Sequence, residues 1–427
     1  MPKEQKVFTK GRLTLPAPPD FRYLPAPALS PQPGCPWAET MVLNPAIVKD
    51  LESNALHMLF RASGPFPGKK ARPECEDPYP IFLGYARSDD LGKTWVADFS
   101  RPALAPALEY EMPRIYAVDD EGRKVVNYAN GCIEDPRVFE IEGVWYMSVA
   151  CRMFPPGPYW KPRTASSNQP DWAGTPANPF GKAASWNDTT TVLYRLHLDR
   201  LIRKDYDHAF VYVGPLTDPE VDDNRDAFLF PERMNIDGVL QYVLIHRPRN
   251  PSSCQAGEGH DKPSIMLAAA PGLKDFVTSK ARHHFLAAGL FDWEGERIGA
   301  SWPPIKIGDR EWLMQVHGKT YPGFGYSQSF VILKQRERDF PEIRHRCSER
   351  LMYVRQAWER PGIFDVPCLF TTGGVVVGDT LIISYGAADQ KVGIAWVSLT
   401  DVVRYVRSFD AQGQRTAPEG QERDGRE

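Results

Sequence analysis

Apolar and polar positions along this chain group into short runs, too brief and too often interrupted for helices. The segments 57–63 (HMLFRAS), 81–88 (IFLGYARS), 137–151 (RVFEIEGVWYMSVAC), 191–199 (TVLYRLHLD), 239–247 (VLQYVLIHR) and 264–270 (SIMLAAA) are rich in β-branched and aromatic residues. So are 310–318 (REWLMQVHG), 330–335 (FVILKQ), 375–386 (VVVGDTLIISYG) and 392–399 (VGIAWVSL). Gly, Pro or Asp bound them, which is how strands are punctuated. EIEGVW at 140–145 and VVGDTL at 376–381 read as hairpins with Gly or Asp at the tip. The segment 401–409 (DVVRYVRSF) fits either a short closing helix or an edge strand.

A proline-bearing tag recurs among these strands: Asn44-Pro45-Ala46, Asp135-Pro136-Arg137, Phe230-Pro231-Glu232, Pro303-Pro304-Ile305 and Val366-Pro367-Cys368. Pro45 precedes Arg61 by 16 residues, Pro136 precedes Arg152 by 16, and Pro231 precedes Arg247 by 16. Pro304 and His317 are 13 apart, and Pro367 and Tyr385 are 18 apart. Five irregular repeats of strand hairpins imply radial repetition rather than a sandwich. The expected fold is therefore all-β, a five-bladed β-propeller over 41–410, with the start of each innermost strand facing one axial pocket.

Residues 1–40 are proline-rich and read as an extended N-terminal arm, a candidate for an interface in a homo-oligomer. Residues 411–427 are polar and nearly free of bulky apolar side chains, so a disordered tail is expected. The insertion 154–188 lacks strand periodicity but carries Tyr159, Trp160, Trp172 and Trp186. Long loops in compact domains are commonly functional. These aromatics suit either a substrate-facing lid or anchors to the body.

Composition then excludes several classes. Forty prolines among 427 residues are about twice the usual share, which argues against a mostly helical protein. The net charge of −3 leaves no basic field for nucleic acid or an anionic membrane, so neither is an expected partner. No apolar run is long enough for a transmembrane helix. The first residues, MPKEQKVFTKGR, contain no secretory h-region. Seven scattered cysteines without a CxxC pair fit a reducing cytoplasm better than a disulfide framework, and no ligand spacing calls for a metal.

Two motifs carry chemical information. Ser88-Asp89-Asp90-Leu91-Gly92-Lys93-Thr94-Trp95 matches the Asp-box pattern SxDxGxTW, a hairpin device whose Asp caps backbone N–H groups while the Trp packs beneath. Glu134-Asp135-Pro136-Arg137 sets two carboxylates and an arginine around a proline ahead of an apolar strand. The proline fixes the local backbone and can aim one carboxylate at the channel. Glycosyl transfer needs such an acid to protonate the leaving oxygen. A turn ion pair is the alternative reading.

The ordered set of pieces resembles glycoside hydrolase family 130, the mannoside phosphorylases and related β-mannosidases. The resemblance rests on NPA at 44–46 with FRA at 60–62, ARSDDLGKTW at 86–95, IEDPRV at 133–138, NRDAFLFPER at 224–233 and VLIHRP at 243–248. It continues through RIGASWPPI at 297–305, WLMQVHG at 312–318, WERPGIFDVPCLFTTGG at 358–374 and ISYGAADQKVGIA at 383–395. It implies a five-bladed propeller and an inverting reaction with one enzyme acid, Asp135, acting through the sugar's 3-hydroxyl. It also implies an oligosaccharide or mannoside substrate and inorganic phosphate as co-substrate, with no other cofactor and mannose 1-phosphate as product. Asn44, Arg61 and Glu134 become candidates for the glycone side. Arg152, Arg225, His246 and Arg247 become candidates for phosphate, a nucleophile that needs cations rather than a general base. His317 and Asp389 become pocket-wall candidates.

Departures from the family pattern keep hydrolysis open. Arg225 stands where lysine is expected, exchanging a point charge for a planar fork. Asp365 stands where asparagine is common, and the insertion after Arg152 is long. A hydrolase would need a carboxylate to activate water, for which Glu232 and Glu359 are candidates. A sialidase-like reading would need several Asp-boxes, and only one is present. A noncatalytic glycan-binding propeller is the remaining alternative.

Overall fold

The computed structural model describes residues 15–50, 53–65, 80–106, 115–153, 179–181, 188–360 and 365–416. Five antiparallel sheets form the blades of a propeller. Blade 1 is Met41–Lys49, Leu56–Ser63, Phe82–Ser88 and Val96–Asp98; blade 2 is Cys132–Ile141, Val144–Arg152, Thr190–Leu196 and Phe210–Pro215. Blade 3 is Asn224–Leu229, Val239–Pro248, Ile265–Ala270 and Arg282–Ala287, with Met234–Ile236 added along its second strand. Blade 4 is Arg297–Ala300, Glu311–Thr320, Gly325–Gln335 and Pro341–Arg346, again with a short extra strand, Ile305–Gly308. Blade 5 is Leu369–Val377, Thr380–Ala387 and Lys391–Ser398, completed on its outer edge by Arg22–Tyr23.

Blades stack face to face, so their middle strands are buried on both sides and read as continuous apolar runs. All six residues of Ile265–Ala270 are buried. The expected hairpins at 140–145 and 376–381 form, with Glu142, Gly143 and Gly378 at positive φ. The segment 401–409 takes the helical alternative, Leu399–Val406, capped by Ser398 Oγ, which accepts from the Asp401 amide at 3.1 Å. The arm does more than pack on the domain, because it supplies a strand. The first six residues assigned to a disordered tail are ordered instead. The Asp410 amide donates to the Gln414 carbonyl, and the Arg415 guanidinium lies over Tyr405 and Phe409. The apolar Tyr405–Phe409 platform gives that arginine a place to stack. Tyr159, Trp160, Trp172 and Trp186 lie outside the described residues.

The Asp-box behaves as its pattern implies. Asp90 Oδ1 accepts from the Thr94 amide at 2.8 Å, and Trp95 Nε1 donates to the Gly92 carbonyl at 3.0 Å.

The five repeats are real, but the proline tags mark them unevenly. Each of the first three inner strands carries a bulge of one extra residue, two residues facing one: Asn44-Pro45 opposite Phe60, Asp135-Pro136 opposite Val149, and Asp226-Ala227 opposite His246. Asn44, Asp135 and Asp226 all have positive φ, at 44, 51 and 50°. Pro45 and Pro136 tolerate the bulge because no ladder N–H is required there. In blade 3 alanine replaces proline, so Phe230-Pro231-Glu232 lies beyond the inner strand. Pro303-Pro304-Ile305 likewise follows the inner strand of blade 4. The three spacings of 16 do not end in one register: Arg61 and Arg247 face Leu43 and Arg225, each next to its bulge, whereas Arg152 faces Cys132, three residues before its bulge. Unequal hairpin lengths produce the coincidence.

Candidate active site

A cavity of about 400 Å³ opens on the propeller axis. All five blades line it: Asn44 and Arg61 from blade 1, Asp135 from blade 2, Arg225, Asp226 and Arg247 from blade 3, Arg297 and Tyr326 from blade 4, Phe370 and Asp389 from blade 5. The bulges explain this convergence. A positive φ at Asn44, Asp135 and Asp226 turns each side chain out of the strand's regular alternation, and the three bulges occupy equivalent places around the axis.

Asp135 stands at the centre. Its Oδ1 accepts from Asn44 Nδ2 at 2.8 Å and from Arg61 Nη1 at 3.1 Å. Its main-chain carbonyl accepts from Arg137 Nη1 at 3.0 Å. Glu134 points the other way into the wall and is nearly fully buried. There Arg61 Nη1 lies 3.1 Å and Arg225 Nη1 3.8 Å from its Oε2, and the Cys132 thiol donates to its Oε1 at 3.1 Å. Burial opposes ionisation of Glu134, but Arg61, Arg225 and Arg152 outweigh it and hold the carboxyl below its ordinary range.

Blade 3 supplies two further cations to the lining. Arg225 Nε donates to Asp223 Oδ1 at 3.0 Å and its Nη2 to Thr189 Oγ1 at 2.8 Å. Arg247 Nε donates to Asp226 Oδ2 at 2.5 Å. Desolvation of Asp223 and Asp226 is outweighed by these arginines, and both stay well below the usual carboxylate range. Arg297 differs: among the described residues it has no acidic partner within ion-pair distance, and its buried Nε has no hydrogen-bond partner. Asp389, at φ 51°, is shifted upward, chiefly by burial, with Arg61 opposing and Asp135 adding repulsion.

The structure therefore gathers Asn44, Arg61, Glu134, Asp135, Arg225, Arg247 and Asp389. It does not gather all of the sequence candidates. His246 lies opposite the blade 3 bulge, where the other blades bury Phe60 and Val149. Its Nδ1 meets Asn224 Nδ2 at 3.0 Å, its ring packs edge-on against His283, and burial lowers its pKa to about 3. It is a core residue, not a cavity cation. Arg152 is half-buried behind Glu134 and off the cavity wall, close enough for its charge to act on Glu134 and Asp223. His317 is fully buried beneath the floor, with Nε2 3.2 Å from Asp226 Oδ2 and its ring 4.6 Å from Phe370. Neither candidate for activating water reaches the cavity. Glu232 is held by Lys306 at 2.6 Å and Trp312 Nε1 at 2.8 Å, and Glu359 accepts from Tyr385 at 2.7 Å while capping the turn at 357–359. Asp365 is exposed.

Asp226, Arg297 and Tyr326 escaped the sequence reading. Asp226 had a legible signal: Asn44, Asp135 and Asp226 are spaced by 91 residues each. Following proline rather than the acid or amide before it hid that spacing.

Fold and cavity together define a five-bladed propeller with a polar, arginine-rich axial site. A family profile described as β-1,4-mannooligosaccharide phosphorylase, of glycoside hydrolase family 130, matches residues 222–408. A β-1,4-mannooligosaccharide phosphorylase of Ruminococcus albus is 31% identical over 44% of this chain, a match that spans about half (52%) of that enzyme's length. A 1,2-β-oligomannan phosphorylase of a Thermoanaerobacter species is 25% identical over 88% of this chain and 96% of its own. The solved β-1,2-mannobiose phosphorylase of Listeria innocua superposes with a TM-score of 0.57 at 17% identity, over 86% of this chain and 92% of that one. Residues 222–408 thus match the family 130 profile, and the wider chain is similar to mannoside phosphorylases.

Proposed function

We propose that this protein is an inverting glycoside phosphorylase that cleaves β-mannosides and releases mannose 1-phosphate. One observation carries the reading. The Asp135 carboxyl shares a small cavity with Arg225, Arg247 and Arg297, and among the described residues Arg297 has no acidic partner. A dianion that fills this gap would meet planar donors suited to phosphate oxygens.

Asn44 and Arg61 fix the Asp135 carboxyl from one side, so its other oxygen can deliver a proton towards the departing sugar oxygen. Phosphate attacks the anomeric carbon from the cation side as the glycosidic bond breaks, which inverts the configuration. The proton passes to the leaving oxygen, directly or through the sugar's 3-hydroxyl. No protein nucleophile is needed, and the arginines take the place a general base would fill for water. The removal of Glu232 and Glu359 from the cavity weighs against hydrolysis. Tyr326 and Phe370 offer apolar faces for the sugar ring. A cytoplasmic setting suits the reaction, because a sugar phosphate is retained inside the cell.

β-Linked mannobioses and mannooligosaccharides incubated with and without inorganic phosphate test this directly. Mannose 1-phosphate is expected, dependent on phosphate. Undiminished release of free mannose in phosphate-free buffer would replace the reading with hydrolysis.

A further inference from the structure

A buried ionic cluster reaches from the cavity wall into the floor and joins the two halves of the site. Asp226 is 3% exposed. Its Oδ1 accepts from Arg137 Nη2 at 2.8 Å and its Oδ2 from Arg247 Nε, with His317 Nε2 3.2 Å away. Arg137 is 2% exposed and also donates to main-chain carbonyls, Nη1 to that of Asp135 and Nε to that of Ser301 at 3.0 Å. A single guanidinium thus ties the backbone of residue 135 to the same carboxylate that orients Arg247. The cluster is closely packed: a Cβ on Gly299 would lie 2.8 Å from Asp226 Oδ2 and 2.6 Å from the His317 ring.

We propose that Asp226 is a positioning residue that couples the acid at 135 to the cation at 247. Resting on the proposed chemistry, it would set the distance between proton donor and bound anion. A buried carboxylate between two guanidiniums resists displacement, since moving it strands charge in a low-dielectric interior. The strand bulge alone leaves residue 135 able to shift along the axis. Arg137 limits that freedom, anchored by the Ser301 carbonyl and by Asp226, and of these two anchors it is Asp226 that also holds Arg247. Small misplacements of reacting groups are costly, on the order of 100-fold for about 1 Å.

Asp226→Asn and Arg137→Lys test the coupling in the full chain. Three quantities are read: kcat per folded molecule with whichever acceptor the wild type uses, calorimetric affinity for inorganic phosphate, and the melting temperature. Asp226→Asn is expected to lower kcat about 100-fold and weaken phosphate binding about tenfold, because both partners lose their anchor. Arg137→Lys keeps the charge beside Asp226 but cannot reach both carbonyls. It is expected to lower kcat by a similar factor while phosphate affinity stays within about threefold. This split separates positioning from a purely structural role, which would lower the melting temperature and leave kcat per folded molecule unchanged. Should Asp226→Asn not fold, Arg137→Lys decides alone. A folded Arg137→Lys with kcat within about threefold of wild type overturns the proposal. If the wild type binds no phosphate and turns over with water, the phosphorylase reading fails while the kcat comparison still decides the coupling.

Discussion

At the residue scale, Glu134 and Asp135 are neighbours with opposite duties. Glu134 is fixed between Arg61 and Arg225 and buried in the wall, whereas Asp135 faces the cavity with one oxygen held and the other open. Replacing each by its amide should therefore have different consequences. Asp135→Asn keeps the shape and the carbonyl oxygen that Asn44 and Arg61 contact. It should melt close to wild type yet lose roughly 10²- to 10⁴-fold in turnover, the usual worth of a general acid. Glu134→Gln removes the anion that Arg61 and Arg225 share, leaving Arg61 with Asp135 and Arg225 with Asp223, and should cost about 1–3 kcal/mol of stability, the range for unsatisfied buried donors. Its pH dependence follows from the direction of the shift. The folded-state pKa of Glu134 lies below its ordinary value, so its contribution is present above that value and is lost as the pH falls through the folded one. Unfolding curves of wild type and Glu134→Gln should converge in acid. Equal stability at neutral pH, or equal turnover for Asp135→Asn, would show that the two roles have been assigned the wrong way round. The sequence placed both residues in the site because the motif is local. The motif's residues alone leave open which carboxylate faces the channel, and only the family resemblance singles out Asp135, because the separation depends on its positive φ.

At the element scale, the site is a property of strand bulges rather than of strands. A regular inner strand would alternate its side chains between neighbouring blades and show little to the axis. One extra residue at equivalent points in three blades redirects Asn44, Asp135 and Asp226 inward. Strand number and blade count were legible from alternation and turn residues, since those signals are local. Register was not, and the errors over His246 and Arg152 come from it. His246 sits opposite a bulge and Arg152 faces Cys132 near the start of the inner strand, whereas Arg61 and Arg247 occupy equivalent places next to their bulges. Blade packing adds a constraint that sequence alone does not show. Gly386 of blade 5 lies so close to blade 1 that a Cβ there would fall 2.0 Å from Asn44 Oδ1 and 2.8 Å from the main-chain nitrogen of Asn44. Gly386→Ala should push Asn44 off Asp135 and lower turnover well beyond any loss of stability, with the displaced amide visible in a crystal structure. A variant that retains full turnover would mean the Asn44–Asp135 hydrogen bond is dispensable.

At the scale of the whole molecule, five blades must close into a ring before residues from distant parts of the chain share a cavity. Closure here uses the N-terminal arm. Arg22 and Tyr23 pair with Trp396 and Ala395, the Leu24 amide donates to the Ile394 carbonyl at 3.0 Å, and Ala28 donates to Val392 at 2.8 Å. Phe21 stacks on Phe330 of blade 4, and farther along the arm Trp37 stacks on Phe60 of blade 1. The arm therefore runs from the outer edge of the last blade to the face of the first. Those two blades supply Asp389 and Phe370 on one side of the cavity and Asn44 and Arg61 on the other. Deleting residues 1–30 removes the edge strand and leaves the backbone of Lys391–Ser398 unpaired on one side, an unfavourable exposed edge. Each lost backbone hydrogen bond is worth about 1 kcal/mol, and the burial of Phe21 adds to them, so the melting temperature should fall by several degrees. Activity should respond more sharply than the fold. Loosening the seam between blades 5 and 1 lets Asn44 and Arg61 drift from Asp135 while the individual sheets persist. In a thermal ramp of the deleted protein, turnover should fail at a lower temperature than the loss of β-sheet circular dichroism, whereas the two should coincide in the intact chain. Coincident curves in both proteins would place closure in the blade-to-blade core and reduce the arm to a passive cover.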